Sequence, residues 1–349
     1  MLLHTLLLRR QSSWLELFQR RLLPTSMHPF RHHLSLFISL LFVSVVTSSG
    51  TSGCGCDLPV NQLPGGPSVQ VTIQQSSSLN RTYLIHIPVT YNQSTATPLI
   101  FNFHGRGHTS QYQERLTGFS RPDWNPNAIV IYPQGINNTW QGDPDSINVD
   151  DKEFVSDMIT TLSNNYCLDD ERIYATGKSN GGGFINLLAC DAQLSTQIAA
   201  FAPVSAAIYI PGVKSTDCLG TIPQTLNFPC NPGRENVPIL EFHGLQDQVI
   251  PYNGGPRRSS CLISILHWHD DWADNQGYGS AVSRTSLFDG NVIKLEYAPG
   301  TENQGIITNY AINNWDHDWP STTPTDDSKY VTYIDASPLI IEFFENYTL

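Results

Sequence analysis

Residues Arg172-Ile-Tyr-Ala-Thr-Gly-Lys-Ser-Asn-Gly-Gly-Gly-Phe184 decide the fold. They contain G-x-S-x-G as Gly177-Lys178-Ser179-Asn180-Gly181, directly after a β-rich run and before a helix-compatible one, Phe184–Cys190. In that context the motif makes a sharp strand-to-helix turn that exposes a serine hydroxyl. Ser179 is then expected in a strained backbone conformation. Its flanking positions must be glycine, because side chains there would collide with the neighbouring strand and helix. The turn also aims the backbone N–H of Asn180 at the place where an oxyanion forms, beside a positive helix N-terminus. The alternative is a Gly-rich turn without chemistry.

Outward from this segment, apolar strand-like runs alternate with amphipathic helical ones. Val71–Ile73 and Tyr83–Pro88 read as an opening pair of strands. Pro98–Phe103 and Ala128–Tyr132 are short continuous apolar runs, as expected of strands buried on both faces. Phe154, Met158, Ile159 and Leu162 share one face of a helix. Arg172–Thr176, Ile198–Pro203 and Pro238–Phe242 supply further strands, and Ser337–Tyr347 closes the chain as a helix. The alternation predicts an α/β fold with a mostly parallel central sheet and helices on both faces. No internal repeat, long linker or compact Cys-rich module is visible, so residues 51–349 read as a single catalytic domain without a separate carbohydrate-binding module.

The 349 residues carry 19 Lys+Arg against 31 Asp+Glu, a formal charge of −12. Five arginines lie within residues 1–50, so the remainder is more acidic still. Such a surface repels phosphate backbones and anionic lipids, which argues against nucleic acid or a membrane surface as partner. The uncharged run Leu34–Val46 follows the basic segment His28–His33 and precedes Ser48-Ser49-Gly50. That is the order of a signal peptide, and the run is short for a membrane anchor. Residues 1–50 are therefore expected to be a leader, with Met27 a possible true start, and the mature protein is expected to be secreted and extracellular. Sequons at Asn80, Asn92, Asn137 and Asn346 agree with secretion. So do seven cysteines after the leader, which allow three disulfides with one thiol left over. A zinc site competes for the cysteines, but no CxxC pair exists.

A serine nucleophile needs a base and an orienting acid, in the chain order Ser, Asp/Glu, His. Pro238-Ile-Leu-Glu-Phe-His-Gly-Leu-Gln-Asp247 is an apolar strand that runs into a loop, which makes Asp247 the expected acid. Asp270, Asp271 and Asp274 compete, but they lie in a helix-like segment with Trp268 and Trp272. His317, in Asn314-Trp-Asp-His-Asp-Trp-Pro320, is the expected base. Phe101-Asn-Phe-His-Gly-Arg106 follows a buried strand and places a second oxyanion donor at the N–H of Arg106. His104 reads as a packed loop residue. Trp140, Trp315 and Trp319 adjoin these motifs and are candidates for stacking on a phenolic ring or a sugar, with core packing as the other reading. His267 and His269 raise the question of a metal, yet an i, i+2 pair does not share a helical face, so neither metal nor cofactor is expected.

From about Cys54 onward the chain resembles the fungal secreted feruloyl esterases of carbohydrate esterase family one, relatives of the polyhydroxybutyrate depolymerases. Phe101–Gly107, Tyr132–Gly135, Thr139–Gly142, Tyr174–Gly183, His243–Tyr252 and His317–Pro320 carry the resemblance. It implies an α/β-hydrolase fold and hydrolysis of hydroxycinnamate esters on arabinoxylan, and it carries over Ser179, Asp247 and His317 as the triad. Asp316 stands where that family usually has glycine. With Asp318 it is expected to favour a protonated imidazole. Three alternatives remain: acetylxylan esterase or polyester depolymerase with the same triad, a non-catalytic secreted binding protein, and a metal-dependent hydrolase built on His267 and His269.

Overall fold

The computed structural model describes residues 50–146 and 148–349. The expected h-region Leu34–Val46 and the candidate start Met27 lie outside the described residues. Among the described residues thirteen strands appear in chain order: β1 (Val69–Gln74), β2 (Asn80–His86), β3 (Thr97–Phe103), β4 (Ile129–Pro133), β5 (Leu168–Lys178), β6 (Ala200–Val204), β7 (Tyr209–Lys214), β8 (Ile239–Gly244), β9 (Gly255–Arg257), β10 (Ser260–Leu262), β11 (Val282–Leu287), β12 (Val292–Tyr297) and β13 (Ile307–Ile312). The helices are α1 (Ser110–Thr117), α2 (Asp151–Asn165), α3 (Asn180–Ala189), α4 (Ile222–Thr225), α5 (Ile265–Asn275) and α6 (Ala336–Glu345).

Ten strands form one sheet in the order β1-β2-β4-β3-β5-β6-β8-β13-β12-β11. The six central strands from β4 to β13 run parallel, with antiparallel strands on both flanks. The expected parallel sheet is thus its centre. Side chains alternate between two cores, as a strand covered on both faces requires. Leu99, Phe101 and Phe103 of β3 point to one core with Phe154 of α2, Phe184 of α3 and Trp268 of α5. Ile100 points to the other, with Leu116 of α1 and Ile340 and Phe344 of α6.

A small second sheet, β7-β10-β9, does not appear in the sequence reading. Its strands are short and carry Gly, Pro and Arg, so nothing in their local pattern separates them from loop. Disulfides join Cys54–Cys167, Cys190–Cys230 and Cys218–Cys261 and leave Cys56 free, as the count of seven allows. The four sequon asparagines are all exposed.

Candidate active site

Parallel strands end on a common edge, and the loops leaving that edge meet there. Ser179 follows β5, Gly105 and Arg106 follow β3, Asp247 follows β8 and His317 follows β13. Ser179 caps α3 with φ 56° and ψ −117°, a conformation that costs a non-glycine residue about 1–3 kcal/mol. The surroundings hold it. Its N–H donates to Val204 O at 2.9 Å, and its carbonyl accepts from Gly183 N at 2.8 Å and Ala207 N at 2.9 Å. A Cβ at Gly181 would lie 2.4 Å from Phe103 O, and one at Gly177 would lie 2.8 Å from the same oxygen. The glycines are therefore required by close approach of β3, as the motif implies.

His317 Nδ1 donates to Asp247 Oδ2 at 2.7 Å. The other oxygen of Asp247 accepts from Val249 N at 2.8 Å and Ile250 N at 2.7 Å, which fixes the plane of the buried carboxylate. Burial would raise the Asp247 pKa, but donors from His243 and His317 outweigh it and hold the carboxyl well below its usual range. His317 Nε2 and Ser179 Oγ make no hydrogen bond to any described residue, and both residues line one cleft of about 220 Å³. Burial pulls the His317 pKa below its ordinary value, helped by the Lys178 cation and opposed by the Asp247 hydrogen bond.

The flanking acids do not act as expected. Asp316 Oδ1 accepts from Gln248 N at 3.0 Å and from His317 N at 2.9 Å, so it ties two loops through their backbones. Desolvation, not the acidic neighbours, sets the direction at the imidazole.

The N–H groups of Asn180 and Arg106 have no acceptor among the described residues, and both residues line the cleft. Asn180 is the first residue of α3, where helix geometry leaves the N–H unpaired. Its side chain clamps the neighbouring loop: Oδ1 accepts from Trp140 N at 2.8 Å, and Nδ2 donates to Trp140 O at 3.3 Å. His104 is packed, as its context suggests. Nε2 accepts from Gly135 N at 3.0 Å, Nδ1 donates to Gly105 O at 2.9 Å, and burial pushes its pKa down to about 4.

The three tryptophans are a correction. Trp140, Trp315 and Trp319 are buried, and none lines the Ser179 cleft. Trp140 packs between Phe103 and Phe184 and donates from Nε1 to His104 O at 2.8 Å. Trp315 Nε1 donates to Asp318 O at 2.8 Å, and Trp319 Nε1 donates to Ser337 Oγ at 3.1 Å. Each indole N–H finds an internal acceptor, so these rings build the loops of the site rather than the wall of the Ser179 cleft. Asp270, Asp271 and Asp274 lie on α5, away from the cleft. His267 and His269 share that helix, where His269 is buried and donates to Ile265 O at 2.8 Å.

Sequence reasoning passes over several cleft residues: His108, Asp143, Lys178, Tyr209, Arg257 and Arg258. Lys178 was available as the variable residue of G-x-S-x-G, and Arg257–Arg258 as a basic doublet in an acidic chain.

No family model matches the chain. It is 33% identical over 183 residues to feruloyl esterase B of Piromyces equi, a match covering 50% of this chain and 31% of that protein. It is 25% identical over 260 residues to the probable feruloyl esterase C of Aspergillus oryzae, covering 72% of this chain and 83% of that one. The fold matches an acetyl xylan esterase from Aspergillus awamori with a TM-score of 0.55 at 17% identity, over 80% of this chain and 99% of that one. By these relationships the chain is a carboxylic ester hydrolase with the α/β-hydrolase fold, similar in sequence to fungal feruloyl esterases.

Proposed function

We propose that the chain is a secreted serine esterase that cleaves feruloyl and related hydroxycinnamoyl esters of plant cell-wall arabinoxylan through an acyl-enzyme. The observation that carries this reading is the convergence of a strained Ser179 and the His317–Asp247 pair on one cleft, in a relative of feruloyl esterases. Ser179 is the nucleophile. His317 Nε2 takes its proton as Oγ attacks the ester carbonyl, and Asp247 holds Nδ1 protonated and stabilises the imidazolium. The N–H groups of Asn180 and Arg106 receive the oxyanion. Collapse of the tetrahedral intermediate returns the proton to the departing sugar alcohol. Water activated by His317 then attacks the acyl-Ser179 carbonyl and frees the acid.

Residues 1–50 serve as the leader and residues 51–349 as the single catalytic domain. Secretion is supported by three disulfides and by four exposed sequon asparagines. Among the described residues no helix is long and apolar enough to cross a membrane.

The test is hydrolysis of methyl ferulate, caffeate, p-coumarate and sinapate beside acetylated xylan and p-nitrophenyl acetate, with Ser179→Ala as control. Hydroxycinnamate turnover that vanishes in the variant supports the reading. Turnover of acetyl esters alone would reassign the substrate to acetylxylan.

A further inference from the structure

The cleft holds one more cation than its internal pairing uses. Arg106, Lys178, Arg257 and Arg258 line it against a single lining carboxylate, Asp143. Three of the four cations have partners. Arg106 bonds Asp143 at 2.9 Å and Asp145 at 2.8 Å, Arg258 bonds the same Asp145 at 2.7 Å, and Lys178 pairs with Asp327. Arg257 has none among the described residues, and its Nε is buried without a hydrogen-bond acceptor. Leaving a buried donor unpaired costs free energy, and here it happens in a chain with net charge −12, where carboxylates outnumber cations.

The position of Arg257 is built. It ends β9 and pairs with Ser260 of β10 across the tight turn Arg258–Ser259, where Arg258 holds φ 53°. Next to Ser260, Cys261 is buried and bonded to Cys218, which anchors the hairpin. Asp145 bridges Arg258 to Arg106 and so straps the hairpin to the loop that follows β3.

A guanidinium offers parallel N–H donors that match a carboxylate. A hydroxycinnamoyl ester of a neutral sugar has no anion to meet it. We infer that Arg257 is a specificity-determining residue that receives a carboxylate on the carbohydrate, which makes uronic-acid-bearing xylan the preferred substrate class. The inference rests on the esterase reading above. Hydrolysis also creates a carboxylate on the released acid, and the test separates the two sources.

The test is calorimetric titration of the full chain as Ser179→Ala, with and without Arg257→Gln. The probes are a xylo-oligosaccharide bearing one glucuronate, the same oligosaccharide without it, and free ferulate. In Ser179→Ala the acidic sugar is expected to bind at least about tenfold more tightly than the neutral one. That advantage should shrink to less than about twofold with Arg257→Gln, and also at high salt, since the contact is ionic and partly exposed. Equal binding of the two sugars, an advantage that survives Arg257→Gln, or no binding of either sugar overturns the inference. Ferulate binding that depends on Arg257 while the sugars bind alike assigns the cation to the product and likewise overturns it. Because the readout is binding, an inactive parent enzyme would reject the esterase reading without altering these curves.

Discussion

His243 Nε2 stands 3.4 Å from Asp247 Oδ2, the same oxygen that accepts from His317 Nδ1. The His243 ring lies between acceptors. Nε2 donates to Ile250 O at 2.8 Å, and Nδ1 faces Glu241 Oε1 at 2.7 Å. The second oxygen of Glu241 accepts from Asn309 Nδ2 at 2.6 Å, and Asn309 Oδ1 accepts from Tyr252 OH at 3.0 Å. With an oxygen acceptor at each nitrogen, the ring keeps both protons. Burial opposes this charge, but Glu241 and Asp247 outweigh it and raise the His243 pKa to about 10. A buried cation thus backs the carboxylate that orients His317.

That cation sets the first prediction. It lowers the negative potential at His317, in the same sense as burial and Lys178. A general base must be unprotonated, so a lowered pKa extends activity toward acid. The acidic limb of kcat/KM on methyl ferulate is expected below the ordinary imidazole value of about 6.5. His243→Gln removes the cation and should move that limb to higher pH. Glu241→Gln, which keeps the shape of its side chain, weakens the same cation and should move the limb in the same direction, which guards against a folding failure of the first variant. The other groups near His243 are the Tyr252 ring, edge-on with ring centroids 5.6 Å apart, and His269 of α5, which burial keeps below its ordinary pKa. A limb unmoved by His243→Gln would separate His243 from the base.

Asp247→Asn keeps the size of the side chain and loses the charge that fixes the His317 tautomer. A drop of roughly 10⁴-fold in kcat is expected, with KM little changed. Steady-state kinetics at the pH optimum reads it, and a loss below tenfold would contradict a triad role for Asp247.

Gly181→Ala places a methyl group 2.4 Å from Phe103 O and 2.7 Å from His104 O, both backbone atoms that cannot swing away. The expected cost is about 1–3 kcal/mol of stability, with loss of activity because β3 and the turn at Ser179 are pushed apart. Urea unfolding beside an activity assay measures both. Unchanged activity would show that the turn tolerates displacement.

The Cys190–Cys230 bridge closes a loop with a sequence separation of 40, tying the end of α3 to the segment before β8. On chain-entropy grounds, replacing both cysteines by serine should cost about 4 kcal/mol. Thermal or urea melts of the double variant check this, and the reduced parent, which gives up all three bridges, should lose more.

Much of the site was legible because short-range geometry dictates it. Gly177 and Gly181 read as close-approach positions from spacing alone, and the order Ser179, Asp247, His317 follows from where strands end. The tryptophans were not legible in this way. Adjacency to a motif places Trp140 near the site, but Asn180 and His104, distant in sequence, turn its indole into the core. Nor does Glu241-Phe-His243 announce a buried ion pair. An alternating strand suggests that one face is wet, whereas β8 is the fifth of six parallel strands and is buried on both. The polarity of the Arg257 hairpin likewise reads as loop until Cys218 and Asp145 fix it in place.

The most direct measurement is labelling with a serine-reactive fluorophosphonate, followed by peptide mass mapping of the parent and of Ser179→Ala. A single adduct on Ser179, absent from the variant and slowed in Asp247→Asn, is the expected result. An adduct elsewhere, or none on a protein that still turns over methyl ferulate, would contradict a Ser179 nucleophile.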